Sequence, residues 1–388
     1  MDRFFEFEKA KLFDTWKRSR NNKYSNHKLQ EFHNFFRDFY EKIKNEDVSS
    51  LSTDKKIYLK VAIEYFQTRV NCLSNNTATN APYEVIESIK CAAKEWVIDI
   101  DKYIILTRYG DYCFFHDSTE ETVLLYIEND YGNKLDYKTV LLSIPQHYYR
   151  DYMNNVVLYH EIGHFVDTVN GISDIAVRLM IEKFSRNDEL IEMYDLFPCL
   201  IGVKYNDICD TLGNIKNKSD EFLLKRHWME YFADIFASSY VGSNITRYLS
   251  YVYYPDCSSS YSSSTHPSNE KRFKVVNDFT GAKSNYVIKI IQEILNGKFG
   301  KQLANYSNTV APNDLYKLLP TELTSDNDIH CLYATAWDVW YGDRSKFKTD
   351  NNLTYDLQPT QIYTILNNLV EKSISNYLIN KKWNNVSK

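Results

Sequence analysis

The chain has 388 residues, 44% apolar and 25% charged, with a net charge of −5, the make-up of an ordinary globular protein. That acidic balance argues against a general nucleic-acid binder, which carries a basic excess. No apolar run reaches the roughly 18–20 residues of a membrane span, the first residues lack a signal-peptide core, and seven scattered cysteines with no C-x-x-C pair read as free thiols; the expectation is a soluble, cytoplasmic protein.

In chain order, residues 1–45 place Phe4, Phe5, Leu12, Phe13 and Trp16, then Leu29, Phe32, Phe35, Phe36 and Tyr40, at spacings of three and four, which predicts helices. Residues 54–73 predict another helix, 74–82 a polar break, and 83–97 a further helix. Short apolar and β-branched runs at 103–107, 112–115, 122–127 and 139–144 then predict strands separated by turn clusters. Residues 156–171 follow as a helix with an apolar lining and an Asn170-Gly171 stop. Helices are predicted at about 175–184, 188–194 and 220–241, a Tyr- and Ser-rich irregular loop at 248–264, and helices at 286–295, 331–341 and 361–378. The fold class expected is α+β in three parts: a helical region over 1–100, a core over 101–280 and a helical region over 281–388.

The 156–171 helix contains His160-Glu161-Ile162-Gly163-His164. Histidines four apart share one helix face, one turn apart, so both rings can reach a single cation. Glu161 between them is placed to work on a water at that ion. Two histidines do not complete a catalytic zinc site, which wants three protein ligands and an open position. A third histidine six residues after His164 is one solution, but Asn170 stands there, and Asp167 stands where the intervening glycine would be. A distant carboxylate is the other. Glu230 is the best candidate, in His227-Trp228-Met229-Glu230-Tyr231-Phe232-Ala233-Asp234. Glu230 and Asp234 share a face on an apolar helix, where two acids are costly to bury unless paired or metal-bound. Asp234 would accept the free ring N–H of His160 or His164 and fix its tautomer. The plainer alternatives are a helix with two ordinary histidines and a solvated acidic edge of an amphipathic helix. No G-x-S-x-G, phosphate-binding loop or dinucleotide fingerprint competes.

Taken together, His160-Glu161-x-x-His164, then Glu230-x-x-Ala233-Asp234, then Ser264-Thr265-His266-Pro267 with Arg272-Phe273, resemble the gluzincin zinc metallopeptidases, such as thermolysin and neprilysin, over about residues 122–273. The resemblance implies a zincin-like core: a small mixed sheet, an active-site helix and a Glu-bearing helix. It implies Zn²⁺ as cofactor on His160, His164 and Glu230, with Glu161 as general base. It further implies His266 as oxyanion donor and Arg272 as a structural or substrate-carbonyl clamp. An edge strand through Thr122, Val123, Leu124, Leu125 and Tyr126 would pair with an extended substrate by β-augmentation. The same residues also admit blander roles: His266 as a loop residue before Pro267, Arg272 as an exposed charge, the 122–127 strand as half of a core hairpin with 139–144. The implied activity is hydrolysis of peptide bonds in a protein or peptide substrate. A metal-binding regulatory or interaction protein on the same scaffold, with weak or conditional proteolysis, is the alternative; a dead scaffold would tend to lose Glu161, which is present. The terminal helical regions fall outside the resemblance, and the residues give no oligomeric state.

Overall fold

The computed structural model describes residues 2–24, 26–77, 82–115, 120–186, 190–210, 214–216, 218–246, 266–305 and 310–386. The expected loop at 248–264 lies outside the described residues. Helices dominate, with one three-stranded sheet, an α+β composition. The chain forms two compact units: Met1–Tyr83 with Asp99–Tyr149, and Glu84–Ile98 with Arg150–Lys388.

The helices begin with α1 (Asp2–Ser19), α2 (His27–Ile43), α3 (Thr53–Asn75) and α4 (Tyr83–Lys94), of which α4 falls in the second unit. Asn26 starts α2 and Ser52 starts α3, each side chain accepting from a first-turn N–H, as N-caps do. The three- and four-residue spacing puts Phe32, Phe36, Phe39 and Ile43 on the buried face of α2. There Phe36 meets Phe66 of α3 edge-on at 4.9 Å, and Trp16 of α1 approaches Phe66 at 6.1 Å. Burial of such rings is the main stabilising term of this unit.

The sheet consists of β1 (Tyr103–Tyr109), β2 (Cys113–Phe115) and β3 (Lys138–Ile144), in the order β1-β3-β2. The central β3 runs parallel to β1, Tyr103 opposite Lys138, and antiparallel to β2, Cys113 opposite Ser143. The expected strand at 122–127 is instead part of helix α5 (Glu120–Tyr131), so neither the hairpin with 139–144 nor an edge strand through Thr122, Val123, Leu124, Leu125 and Tyr126 exists. The physical reason is legible afterwards. A six-residue apolar run does not distinguish strand from helix by itself. Here Val123, Tyr126 and Ile127 are buried at helical spacing while Leu125 is exposed, and Glu120 and Glu121 favour a helix N-terminus through the backbone dipole.

Glu120 also ties the unit together. It is buried and accepts from Tyr65 Oη at 2.7 Å and from Thr139 N at 2.8 Å, while Arg69 Nε donates to Thr139 Oγ1 at 3.0 Å. Arg69 and Glu120 stand 4.0 Å apart. Removing one partner of a buried pair strands the other charge, so Glu120→Ala is expected to destabilise the chain by about 3–5 kcal/mol. Urea unfolding measures it, and a loss under about 1 kcal/mol would contradict a working buried pair.

In the second unit, α6 (Leu158–Asn170) follows a 3-10 turn at Asn154–Val157 and stops at Gly171, whose φ of +64° takes the left-handed conformation that glycine adopts without strain. Then come α7 (Ile172–Ser185), α8 (Leu190–Leu196), α9 (Tyr205–Ile208), the long α10 (Lys218–Val241), α11 (Asn269–Thr280), α12 (Tyr286–Phe299), α13 (Asn313–Tyr316), α14 (Asp326–Tyr341), α15 (Ser345–Asp350) and α16 (Pro359–Val386). The expected divisions at 100 and 280 are not where the units meet. The sheet shares a core with the N-terminal helices, for Ile104, Leu106 and Leu141 bury with Phe32 and Phe66. The histidine helix belongs with the C-terminal helices. No helix among the described residues is long and apolar enough to cross a membrane, and the six described cysteines are free.

Candidate metal centre

Two helices, α6 and α10, build the site, and both are short of bulk where they cross. A Cβ on Gly163 would stand 2.9 Å from Ala233 Cα and 3.3 Å from the Cβ atoms of Ala233 and Phe236. The glycine inside the histidine motif and the alanine inside the acidic motif therefore allow a close backbone approach that a larger pair would forbid.

That approach brings His160, His164 and Glu230 together, with one ligand atom from each all within 4.8 Å of one another. His160 Nε2 and His164 Nε2 are 3.1 Å apart; Glu230 Oε2 is 3.5 Å from His160 Nε2, and Oε1 is 3.6 Å from His164 Nε2. Ligands about 2.0–2.1 Å from a tetrahedral zinc stand roughly 3.3–3.4 Å apart, so the three atoms already occupy near-ligand spacing. Glu230 Oε2 is buried and makes no well-formed hydrogen bond, its nearest donors being Arg272 Nη2 at 3.4 Å and His160 Nε2 at 3.5 Å; a metal ion would satisfy it more closely. The donor set fits zinc. Glu161, on α6 between the histidines, is partly buried.

Behind the ligands, Asp234 is buried at 0% exposure. Its Oδ1 lies 2.9 Å from His160 Nδ1, so of the two rings it stands against that of His160. Arg272 of α11 donates to the same carboxylate through Nε at 2.7 Å and Nη2 at 2.8 Å, and its Nη2 stands 3.4 Å from Glu230 Oε2. Arg272 is thus a buried two-pronged holder of Asp234 that also reaches Glu230, and not an exposed charge. The sequence carried a signal for this: Arg272 lies three, four and seven residues before Val275, Val276 and Phe279, all buried on one face of α11. A cation on an apolar face demands a buried carboxylate partner.

Charge follows from these contacts. Burial alone would lower the pKa of His160, but the carboxylates of Asp234 and Glu230 overcome it and raise it to about 10. Burial holds His164 down at about 4, beyond what Glu230 restores, so its ring is neutral, the form that binds metal. Burial would raise Glu230 and Asp234, yet the Arg272 guanidinium and the His160 contact hold both below the ordinary carboxylate range. His266 is 45% exposed at its side chain, with Nε2 3.4 Å from Glu230 Oε1; burial lowers its pKa. His266 thus joins the cluster, whereas Thr122, Val123, Leu124, Leu125 and Tyr126 lie on α5 in the first unit.

Asp167, at the end of α6, accepts from Ser173 N at 2.7 Å and Ser173 Oγ at 2.6 Å and fastens α6 to α7. Burial raises its pKa from 3.8 to about 6, against the lowering from Ser173; Asp174 raises it further and Lys225 lowers it. A folded pKa above the unfolded one means the stability from this group is complete below pH 3.8 and is lost as pH rises through about 6, a few kcal/mol in scale. Asp167→Asn is therefore expected to gain on the wild type in urea-unfolding stability as pH rises from about 4 to 7. A pH-independent difference would contradict the assignment.

No protein-family model matches the chain, and neither does any curated protein or solved structure.

Proposed function

We propose that this chain is a zinc-dependent metallopeptidase of the gluzincin type, hydrolysing peptide bonds of a protein or peptide substrate on a zincin-like pairing of α6 and α10. The observation that carries the reading is the convergence of His160, His164 and Glu230 from these two helices, with ligand atoms within 4.8 Å and with Asp234 against His160 Nδ1 at 2.9 Å. These three side chains would hold the ion. A zinc ion, when bound, lowers the pKa of a water and polarises a carbonyl. Glu161 takes the proton of the attacking water and delivers it to the leaving amine. His266, half-exposed beside Glu230, donates to the oxygen that becomes negative on the scissile carbonyl. Arg272 and Asp234 fix the orientation of His160 and Glu230. Substrate pairing with an edge strand at 122–127 is no part of the reading, since that segment is helical. Free cysteines fit a reducing, cytoplasmic setting.

The test is to incubate the chain with denatured casein and a mixed peptide library and to map new termini by mass spectrometry. Cleavage that stops with a zinc chelator and returns with added zinc supports the proposal. A chain that binds zinc stoichiometrically yet cuts nothing is a metal-binding protein, and the peptidase reading falls.

A further inference from the structure

We infer that His330, on α14, is a positioning residue for the metal centre, setting α6 against α10 through Tyr159 and Tyr240. The inference rests on the metal-binding reading of His160, His164 and Glu230.

Tyr159 immediately precedes His160, so its side chain leaves α6 about 100° round the axis from that ligand. Its hydroxyl lies 2.7 Å from His330 Nδ1, and both residues are 1% exposed. Tyr240 lies on α10, six residues beyond Asp234. The His330 ring meets Tyr240 at 4.8 Å between centroids and Tyr159 edge-on at 5.4 Å, and the two tyrosines stack at 5.9 Å. Tyr240 is itself anchored, accepting from Trp96 Nε1 at 2.9 Å and donating to the Ala92 carbonyl at 3.3 Å. One imidazole therefore touches both helices that carry metal ligands, through Tyr159, one turn before Gly163 on α6, and Tyr240, two turns after Ala233 on α10, the same faces that meet at the crossing.

The choice of histidine has a physical reason. A leucine or phenylalanine would fill the space, but the buried Tyr159 hydroxyl needs a partner, and an unmade buried hydrogen bond is costly. Burial holds His330 neutral, with its pKa down at about 3 despite the raising effect of Asp326, so its ring nitrogen is available to the phenol. A rotation or slide of α6 would break that bond and also move His160. Nothing in the motifs around residues 160 and 230 points to position 330.

The experiment measures zinc affinity by chelator competition and the visible absorption of the cobalt-loaded protein, with circular dichroism as a check on folding. Tyr159→Phe removes a single oxygen and His330→Leu removes its hydrogen-bond partner. His330→Asn places an amide oxygen where Nδ1 stands. Tyr159→Phe and His330→Leu are each expected to weaken zinc binding about tenfold or more and to shift the cobalt bands. The double variant should be no weaker than His330→Leu alone, and His330→Asn should recover most of the affinity. A folded Tyr159→Phe chain with wild-type affinity and wild-type cobalt bands overturns this inference alone, whatever the fate of His330→Leu. A wild-type chain that takes up no cobalt or zinc overturns the metal reading and this inference with it.

Discussion

Glu161→Gln is expected to bind zinc as the wild type does and to lose peptide hydrolysis by about two to four orders of magnitude. The substitution keeps the size and shape of the side chain and changes only its ability to take a proton. Glu161 is not one of the three clustered ligand residues, so the fold, the helix crossing and the metal affinity should be untouched. A drop in turnover with KM nearly constant would place the loss in the chemical step. Retained turnover would reject Glu161 as the base, and lost zinc would mean that its carboxylate belongs to the ligand set.

The second large effect comes from a residue with no chemistry of its own. Gly163→Ala is expected to weaken zinc binding about tenfold to a hundredfold, because ligand geometry tolerates only about half an ångström of error. The added Cβ would stand 2.9 Å from Ala233 Cα, and a backbone atom cannot swing aside as a long side chain can. The helices must separate. His160 and His164 ride on one of them and Glu230 on the other, so the spacings of 3.5 and 3.6 Å open together. In an isolated helix the change would be favourable by about 1 kcal/mol, and overpacking of this kind costs about 1–3 kcal/mol, so thermal stability should move little beside the metal affinity. Chelator competition and a melting curve on the same sample separate the two. Unchanged zinc affinity would show that the crossing has slack.

The parts of this protein that were legible beforehand are those where local spacing carries the information. His160 and His164 one turn apart, and Glu230 and Asp234 one turn apart on an apolar helix, could be read directly, and the structure brings the four side chains into one cluster. The stop at Gly171 was equally local. What failed depended on partners distant in sequence. The 122–127 run is short, apolar and β-branched, and only its packing against α2 and α3 decides for helix. The resemblance placed the sheet in one core with the histidine helix, whereas its buried residues Ile104, Leu106 and Leu141 pack with Phe32 and Phe66. Arg272 sits between those cases: the resemblance offered it as a clamp, with an exposed charge as the plainer role, and its burial and attachment to Asp234 needed the third dimension. His330 and Tyr159 lie 171 residues apart, and no local pattern links them.

Zinc titration of the wild type beside Glu230→Ala tests the joining of α6 and α10 at one ion most directly. One zinc per wild-type chain is expected, with affinity falling by about a hundredfold or more once the carboxylate is gone, since even outer partners of such sites contribute ten- to a hundredfold. A wild type that binds no zinc, or a folded Glu230→Ala chain that binds it as tightly, would contradict the account.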